Sequence, residues 1–519
     1  MDHPLVLYNT LSKQKEPFQP INAPYVGIYQ CGPTVYSDPH IGNARPAVVF
    51  DVLRRYLTYL AYRVRYVRNI TDVGHLTGDD DQGEDKISKK ARLEQKEPME
   101  IVQHYTVKYH ELMRHLNVLP PDVEPTATGH IVEQIAITQK IIEADLAYVA
   151  NGSVYFDVMA YRKKANYGEL SGKNIDELEA GAGNDEARQR VLEGQEEKKH
   201  PADFALWKKA QPNHLMRWQA PWSEGFPGWH LECTVMSTKY LGETFDIHVG
   251  GMDLIFPHHE CEIAQAKAAH DGKAPVKYWL HNNMVLRDGK KMSKSLQNGI
   301  TLEELFEGKV TFAYSKKEKD GTLTETHSAR VYTPMHLRML LLLSHYRSVT
   351  DITGNALEDA RKTYTKLLNG WYILQEMHYP AEALQPDEKI NQQLLQNIAA
   401  IYNALNDDLN TALAITHLLA LLKKVNTYYN HPEKLQAVSK ANFEKMKVTY
   451  QTVFVDILGF LVEKPESFEH LLQSLLKHYK EAKQQKAYDK VDEIRADLKT
   501  IGVVVKDMKT GVSWAFDEI

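Results

Sequence analysis

The first 120 residues alternate between short apolar runs and one longer apolar-periodic stretch. Residues 25–29 form a β-rich run, and residues 64–67 form a second one. Between them, apolar side chains at the spacing of one helical face continue from Val48 to Leu57. A strand, a helix and a strand in this order predict a parallel βαβ unit. We therefore expect an α/β fold that begins near the N-terminus.

The pattern changes after this unit and later returns. Prolines at 120, 121 and 125 open a segment, residues 121–225, that lacks the alternation and contains a charged, glycine-rich stretch near 181–199. Strand-like runs reappear at residues 245–249 and 278–280. We interpret residues 121–225 as a domain inserted into one Rossmann-like, parallel-sheet domain, whose two halves are residues 1–120 and 226–334.

The C-terminal part of the chain is helical in pattern. Residues 308–326 are polar and lysine-rich, which predicts an exposed excursion. Apolar-periodic runs across residues 335–465 predict a helical bundle. A small C-terminal domain, residues 466–519, begins with a lysine-rich helix and ends with a valine run, a turn and Trp514. The predicted class is thus α/β, with a split catalytic-type domain followed by an α-helical bundle and a small terminal domain.

Composition adds limits to this picture. The 519 residues exceed what one hydrophobic core supports, which agrees with several domains. The sequence contains no apolar run of membrane-spanning length and does not start like a secretion signal, so we expect neither feature. Three cysteines are too few for a disulfide framework and suit a reducing cytoplasm. The net charge of -6 neither supports nor excludes RNA binding, because a local basic patch suffices.

A first candidate site follows the first predicted strand. His40-Ile41-Gly42-Asn43 opens the predicted helix, and a helix N-terminus presents unpaired N–H groups and partial positive charge to a phosphate. Gly42 lets a flat ring approach the backbone, and His40 and Asn43 can donate to phosphate oxygens. Taken alone, the tetrapeptide is equally compatible with an ordinary helix start.

A second candidate site is the string Lys-Met-Ser-Lys-Ser at residues 291–295. Attack of a carboxylate on the α-phosphate of ATP builds charge on phosphorus and on the departing pyrophosphate, and positioned cations stabilise that charge. Lys291 and Lys294 are the candidates, with Ser293 and Thr34 as further ATP contacts. A lysine-rich loop alone is more often a solvated turn. Together, the two segments resemble the signature pair of class I aminoacyl-tRNA synthetases, which use ATP with Mg²⁺.

Soft and borderline metal ligands occur at three separated places. Cys31 ends the first predicted strand, and Cys233 lies far along the chain from it. In a predicted helix, His258 and Glu262 would stand at i and i+4 on one face. Two thiolates, an imidazole and a carboxylate make a plausible zinc set. The spacing is not that of a short zinc finger, and cysteines are frequently only buried small hydrophobes.

Three segments around these residues resemble motifs of the class I cysteinyl-tRNA synthetases. They are Cys-Gly-Pro-Thr-Val-Tyr at 31–36, Gly-Trp-His-Leu-Glu-Cys at 228–233 and Gly-Gly-Met-Asp-Leu-Ile-Phe-Pro-His-His-Glu at 250–260. The resemblance extends through most of the chain, apart from the two polar excursions. It implies one zinc ion per chain, with ligands at Cys31, Cys233, His258 and Glu262.

Two further residues next to these ligands, His259 and Cys261, carry groups that can bind metal. His259 with Glu262, at i and i+3, is a rival ligand pair on geometry. Cys261 could be mistaken for a ligand, but in a helix it points away from the face that carries His258 and Glu262. We expect Cys261 to be a bystander.

The resemblance also implies how cysteine is recognised. Thr71, Trp229 and Asp253 are expected near the bound amino acid, where an aspartate could hold the ammonium group and Trp229 could exclude water. Cysteine and serine are near-isosteres that a pocket separates poorly by shape. Zinc prefers thiolate strongly, so coordination would replace size as the filter.

The C-terminal region resembles the family's anticodon-binding end. Tyr488, Asp492 and Asp507 occupy positions that the family uses for anticodon contacts, and Tyr488 could stack on a splayed base. A helix of mixed charge is more often a solvated face. The resemblance implies tRNA-Cys as the macromolecular partner.

The expected function is ATP-dependent activation of L-cysteine to cysteinyl-adenylate and transfer to the 3′ end of tRNA-Cys. We expect a cytoplasmic enzyme, without a membrane partner, that acts as a monomer. One alternative is a cysteine ligase for a non-tRNA acceptor, as in mycothiol synthesis, and the long region after residue 335 argues against it. Another is a non-catalytic zinc- and RNA-binding descendant, which the intact lysines at 291 and 294 disfavour.

Overall fold

The structure, a computed structural model, describes residues 4–76, 84–173, 197–212, 214–292, 298–318, 320–380, 385–463, 468–508 and 511–518. These residues form two compact units. The first comprises Met1–Leu305 with Tyr346–Asp351, and the second comprises Phe306–His345 with Ile352–Ile519. The segment 306–334, which the sequence pattern assigned to the second half of the catalytic domain, thus groups with the helical unit.

The first unit is built on a four-stranded parallel sheet. Its strand order is Val276–Asn282, Phe245–Gly251, Tyr25–Gln30 and Arg63–Arg68. Most side chains of these strands are buried, as parallel strands covered on both faces require. The α/β class and the parallel sheet predicted from the sequence are confirmed.

The helix Ile41–Tyr59 connects the strands Tyr25–Gln30 and Arg63–Arg68. Its apolar positions, among them Val48 and Leu53, are buried. The chain later returns on the other side of Tyr25–Gln30 with the strand Phe245–Gly251. The strand order therefore reverses at Tyr25–Gln30, because the chain continues to one side of this strand and later returns on its other side. In open α/β sheets, ligands bind at the carboxyl ends of the strands at such a switch point.

The region between the two sheet halves contains a separate five-stranded antiparallel sheet. Its order is Ala147–Ala150, Ser153–Phe156, Phe204–Lys209, Glu224–Pro227 and Trp218–Gln219. These antiparallel strands replace the alternation of strands and helices over much of residues 121–225. Most of the charged stretch near 181–199 lies outside the described residues.

The other elements of the first unit are mainly helices around the two sheets. The helices are Lys86–Glu94, Pro98–His115, Ile131–Glu143, Val158–Arg162, Leu231–Leu241, Glu260–Ala269 and Leu302–Phe306. The short turns of 3-10 or π type are Thr128–His130, Met252–Leu254 and Ile255–His259. The remaining strands are Val6–Asn9, Gln14–Pro17, Val285–Arg287, Lys290–Lys291 and Thr350–Ile352.

The second unit is mainly helical. Its helices are Pro334–Leu342, Gly354–Glu376, Glu388–Asn406, Thr411–Asn430, Pro432–Leu435, Lys440–Gln451, Phe468–Gln484 and Tyr488–Thr500, with a π-type turn at Thr452–Ile457. The terminal strands Val503–Met508 and Gly511–Phe516 form an antiparallel pair. This pair is joined to the helix Gly354–Glu376 by two hydrogen bonds between Asn369 and the backbone of Phe516.

The predicted polar excursion at 308–326 is largely exposed, but it has regular structure. Strands Thr311–Lys317 and Leu323–Ala329 pair in antiparallel fashion. Phe312 and Tyr314 are buried and alternate with less buried positions, which anchors one face of the pair. Across the described ranges, no helix is both long enough and apolar enough to cross a membrane.

Candidate active site and metal centre

Three elements bring the candidate metal ligands together. Cys31 follows directly after the strand Tyr25–Gln30, so the end of that strand fixes its position. Cys233 lies in the first turn of the helix Leu231–Leu241. Glu262 lies in the first turn of the helix Glu260–Ala269. His258 precedes this helix, and its ring still lies on the same side as Glu262, with Nε2 3.1 Å from Oε1.

The four predicted ligands form one compact group. The ligand atoms of Cys31, Cys233, His258 and Glu262 all lie within 4.8 Å of one another. The two sulfur atoms are 3.6 Å apart and unbonded, and Cys31 Sγ is 3.8 Å from Glu262 Oε1. Three of the four residues are buried, and Cys31 is partly buried. Two sulfurs, an imidazole and a carboxylate converging in this way fit a divalent cation with affinity for sulfur.

A second group shares two of these ligands. The ligand atoms of Cys31, His248, His259 and Glu262 also lie within 4.8 Å of one another. His259 Nε2 is 3.3 Å from Cys31 Sγ, and His248 Nε2 is 2.9 Å from Glu262 Oε2. The rival pair His259 and Glu262 therefore remains close in space, with its nitrogen 3.8 Å from the carboxylate.

The charges of this cluster depend on one another. Burial alone raises the pKa of Glu262, but the charge and hydrogen bond of His248, together with His258, outweigh it and lower that pKa below its usual range. Burial opposes ionisation of Cys31 too, yet the hydrogen bond with Cys233 and the charge of His248 lower its pKa. Burial raises the pKa of Cys233. These shifts favour ionisation of Glu262 and Cys31 and oppose ionisation of Cys233.

Two further histidines, His281 and His230, lie within hydrogen-bond distance of the rings of His259 and His258. His259 Nδ1 lies 2.8 Å from His281 Nε2, whose other nitrogen lies 2.8 Å from Thr10 Oγ1. His258 Nδ1 lies 2.9 Å from His230 Nδ1. Partners of this kind fix the ring orientation and tautomer of metal-binding histidines.

Asn69 connects the candidate ligand Cys233 to Thr71. Its side chain is fully buried, and its Oδ1 accepts from the Gly32 N–H at 2.9 Å and from Cys233 Sγ at 3.8 Å. Its Nδ2 donates to Thr71 Oγ1 at 3.2 Å. Thr71 in turn donates to Glu232. One amide therefore fixes the loop after Cys31 and the hydroxyl of Thr71 together.

The structure places Trp229 beside the same cluster. Its ring centroid is 4.5 Å from that of His258 and 4.1 Å from that of His75. Asp253 is exposed and turns back over Gly251, where a Cβ atom would lie 2.4 Å from its Oδ1. Among the described contacts, none joins Asp253 to Trp229 or Thr71. Cys261 lies elsewhere, with its sulfur 3.4 Å from the Tyr167 hydroxyl.

The first nucleotide segment has the expected helix-start geometry. His40 is extended and precedes the helix, and its N–H donates to Asn43 Oδ1 at 3.0 Å. With Oδ1 engaged, a ligand contact from Asn43 would come from its Nδ2. A Cβ at Gly42 would lie 2.7 Å from the exposed His40 ring, so a larger residue there would displace the His40 side chain. Thr34 Oγ1 lies 2.7 Å from His75 Nδ1.

The second nucleotide segment is described in part. Lys291 is exposed at the end of a short antiparallel pair, opposite Leu286. The turn before it has Asp288 and Gly289 at positive φ, and the Gly289 N–H lies 3.0 Å from both carboxylate oxygens of Asp351. Ser293, Lys294 and Ser295 lie outside the described residues.

The three predicted anticodon residues lie in the second unit. Tyr488 begins the helix Tyr488–Thr500 and is 64% exposed. Arg495 joins the other two, with Nη1 3.5 Å from Asp492 and Nη2 2.8 Å from Asp507. Asp507 also pairs with Lys483 at 2.6 Å. Asp507 therefore has two cationic partners within the protein.

Several residues of the site were not identified from the sequence. His248 and His281 lie on neighbouring buried strands, and His75, Asn69 and Glu232 lie in or near the segments already considered. A histidine beside apolar residues of a predicted strand is the signal that could have identified the first two, since a buried polar side chain needs a partner.

The comparisons with known proteins agree with this geometry. Residues 17–312 match the family model described as the class I (C) tRNA synthetase catalytic domain, and residues 400–462 match the DALR domain. The chain is 52% identical to a cysteine--tRNA ligase of Cytophaga hutchinsonii over 515 residues, which is 99% of each chain. It is 43% identical to the cysteine--tRNA ligase of Thermus thermophilus over 521 residues, again 99% of each chain.

A solved structure shows the same fold at low sequence identity. The methionyl-tRNA synthetase of Mycobacterium tuberculosis, in complex with methionyl-adenylate, has a TM-score of 0.55 and 14% identity. The match covers 87% of this chain and 94% of that one. Because the cysteine--tRNA ligases match over their full length, including the region after residue 335, neither alternative function is favoured. The chain belongs to the class I cysteinyl-tRNA synthetases and is a cysteine--tRNA ligase.

Proposed function

We propose that this ligase selects cysteine through a zinc ion held by Cys31, Cys233, His258 and Glu262. The observation that carries the proposal is the convergence of these four ligand atoms within 4.8 Å. This set contains two sulfurs, whereas the rival set with His248 and His259 contains one, and zinc favours thiolate ligands. When bound, zinc would supply a preference for the thiolate of cysteine over the hydroxyl of serine.

The residues around the ligands would hold the rest of the amino acid. The Thr71 hydroxyl donates to Glu232 and accepts from Asn69 Nδ2, so its second lone pair would accept from the substrate ammonium group. Trp229 covers His258 and would exclude water from the sulfur site. Asp253 would add a carboxylate for the ammonium group.

ATP, with Mg²⁺, would bind across the two nucleotide segments. The backbone at Gly42, the start of the first helix and the side chains of Thr34, His40 and Asn43 would contact the nucleotide. The substrate carboxylate attacks the α-phosphorus, the bond to the β-phosphate oxygen breaks, and pyrophosphate leaves. Lys291, Ser293 and Lys294 would stabilise the charge that develops on the phosphates.

Transfer would follow on the same chain. A terminal ribose hydroxyl of tRNA-Cys attacks the carbonyl carbon of cysteinyl-adenylate, and AMP leaves. Tyr488, Asp492 and Asp507 are proposed to contact the anticodon, within a C-terminal domain of residues 466–519 that follows a bundle of residues 335–465. We also propose that the enzyme is cytoplasmic and acts as a monomer. Sedimentation of the purified chain would test the monomeric state.

The decisive experiment compares two amino acids and two cysteine variants. Total tRNA is charged with labelled cysteine or serine, with and without a zinc chelator, while bound zinc is measured by mass spectrometry. We expect one zinc per chain, charging with cysteine alone, and loss of both after chelation. Cys233→Ser should lose zinc, whereas the matched control Cys261→Ser should keep it. Equal zinc content in both variants, or charging unaffected by complete zinc removal, would exclude the proposed selection mechanism.

A further inference from the structure

His75 lies between residues assigned to two different substrates. Its Nδ1 is 2.7 Å from Thr34 Oγ1, and its Nε2 is hydrogen-bonded to the Lys86 ammonium group. An ammonium group can only donate, so Nε2 accepts and the proton of the neutral ring lies on Nδ1. His75 therefore donates to Thr34. Burial, followed by the charge of Lys86, lowers the pKa of His75 well below its usual range, which keeps the ring neutral.

The face of the same ring contacts Trp229. The two rings are stacked, with centroids 4.1 Å apart and planes 5° apart. On another side, the Trp229 ring lies 4.5 Å from that of His258. The indole thus packs against the rings of both His258 and His75. Its parallel stacking with His75 restricts the orientation of the indole.

The backbone fixes His75 in this position from both sides. Gly74 has φ of +83°, and a Cβ there would lie 2.5 Å from the carbonyl oxygen of Pro227, two residues before Trp229. The Gly74 N–H donates to Asp85 Oδ2 at 2.9 Å, and the Lys86 N–H donates to the His75 carbonyl at 2.9 Å. A close backbone approach and two hydrogen bonds therefore hold the imidazole against the indole.

We propose that His75 is a positioning residue for both substrates of the activation step. The edge of its ring orients the Thr34 hydroxyl for ATP, and the face of its ring orients Trp229 over the cysteine. This inference rests on the roles proposed above for Thr34 and Trp229. It assigns to one side chain the coupling between the nucleotide subsite and the amino-acid subsite.

Two variants separate the edge from the face. His75→Asn keeps an amide that can donate toward Thr34 but lacks a ring to stack on Trp229. His75→Phe keeps a planar ring but cannot donate. In pyrophosphate exchange by the full-length enzyme, we expect His75→Asn to raise KM for cysteine roughly three- to tenfold with KM for ATP nearly unchanged. We expect His75→Phe to raise KM for ATP by roughly the same factor with KM for cysteine nearly unchanged.

The controls distinguish positioning from general damage. The unfolding midpoint of each variant is compared with wild type and with His478→Asn, an exposed histidine in the other unit. If His75→Phe does not fold, His75→Leu, which can neither donate to Thr34 nor stack on Trp229, should raise KM for ATP above the value for His75→Asn, which keeps the donor. Equal changes in both KM values, a change in kcat alone, or no change would overturn the proposal. Absence of cysteine-dependent exchange in the wild type would instead overturn the proposed function.

Discussion

The imidazole of His248 lies 2.9 Å from the carboxylate oxygen Oε2 of Glu262, and both side chains are buried. The carboxylate can only accept when ionised, so His248 Nε2 is the donor. The other oxygen of Glu262 faces the ring of His258 at 3.1 Å. His248 thus holds one carboxylate oxygen of Glu262 in place and leaves the other facing the candidate ligands.

We expect His248→Ala to weaken zinc binding without removing a proposed ligand. Loss of a hydrogen-bonded partner of a metal-binding carboxylate typically reduces metal affinity by about 10- to 100-fold. Competition with a chromophoric chelator would measure the change. His478→Ala, at an exposed ion pair, is the control. An unchanged affinity would mean that Glu262 is oriented without His248.

Gly32→Ala is expected to disrupt the loop that carries Cys31. A Cβ at this position would lie 1.6 Å from the carbonyl oxygen of Asn69, so the backbone must move. Such crowding typically costs about 1–3 kcal/mol of the free energy of unfolding, and zinc content should fall with it. Gly299→Ala, where a Cβ meets nothing within 4 Å, is the matched control for chemical denaturation. Similar midpoints for the two variants would contradict the packing.

Lys294→Ala should reduce ATP–pyrophosphate exchange by roughly 10²- to 10³-fold, the effect of removing one group that stabilises transition-state charge. The neighbouring Lys290 is exposed and pairs opposite Arg287, so Lys290→Ala should retain exchange close to wild type. Near-normal exchange by Lys294→Ala would remove the role proposed for this lysine.

Substitution of the exposed Tyr488 should separate the two steps of the reaction. Tyr488→Ala removes a ring whose stacking on a base is worth about 1–3 kcal/mol, and Asp492→Asn changes an exposed carboxylate on the same helix. Both should weaken aminoacylation of tRNA while leaving pyrophosphate exchange intact. Leu471→Ala, on the preceding helix and 60% exposed, is the control. Equal loss in both assays would contradict anticodon binding.

His336 predicts an acid sensitivity of the helical unit. Burial, reinforced by Arg361, lowers its pKa to about 4, while the unfolded value is about 6.5. The unfolded chain therefore binds the extra proton first, and stability decreases as the pH falls from about 6.5 toward about 4. The Thr333 N–H donates to His336 Nδ1, and His336→Asn can keep this acceptor. Its unfolding temperature should vary less between pH 5 and pH 7.5, and an identical slope would refute the assignment.

The sequence was sufficient to predict the fold class and to propose the candidate ligands. Short β-rich runs identified the strands, and the period-3.6 apolar pattern identified the crossover helix, because that period follows from helix geometry. The sequence patterns did not predict the secondary structure of residues 306–334. There the polar excursion proved to be a strand pair held by Phe312 and Tyr314, because two buried side chains suffice to anchor a surface that is otherwise polar.

Local residue types and their spacing determined that Cys31, Cys233, His258 and Glu262 could be ligands, and that His40 begins a helix. The tertiary structure decided which groups meet. The register between parallel strands places His248 and His281 next to the candidate ligands. Close backbone approaches at Gly32 and Gly74 fix Asn69 beside the loop after Cys31 and His75 beside Trp229. These relationships join residues far apart in sequence, so they depend on packing that no local pattern encodes.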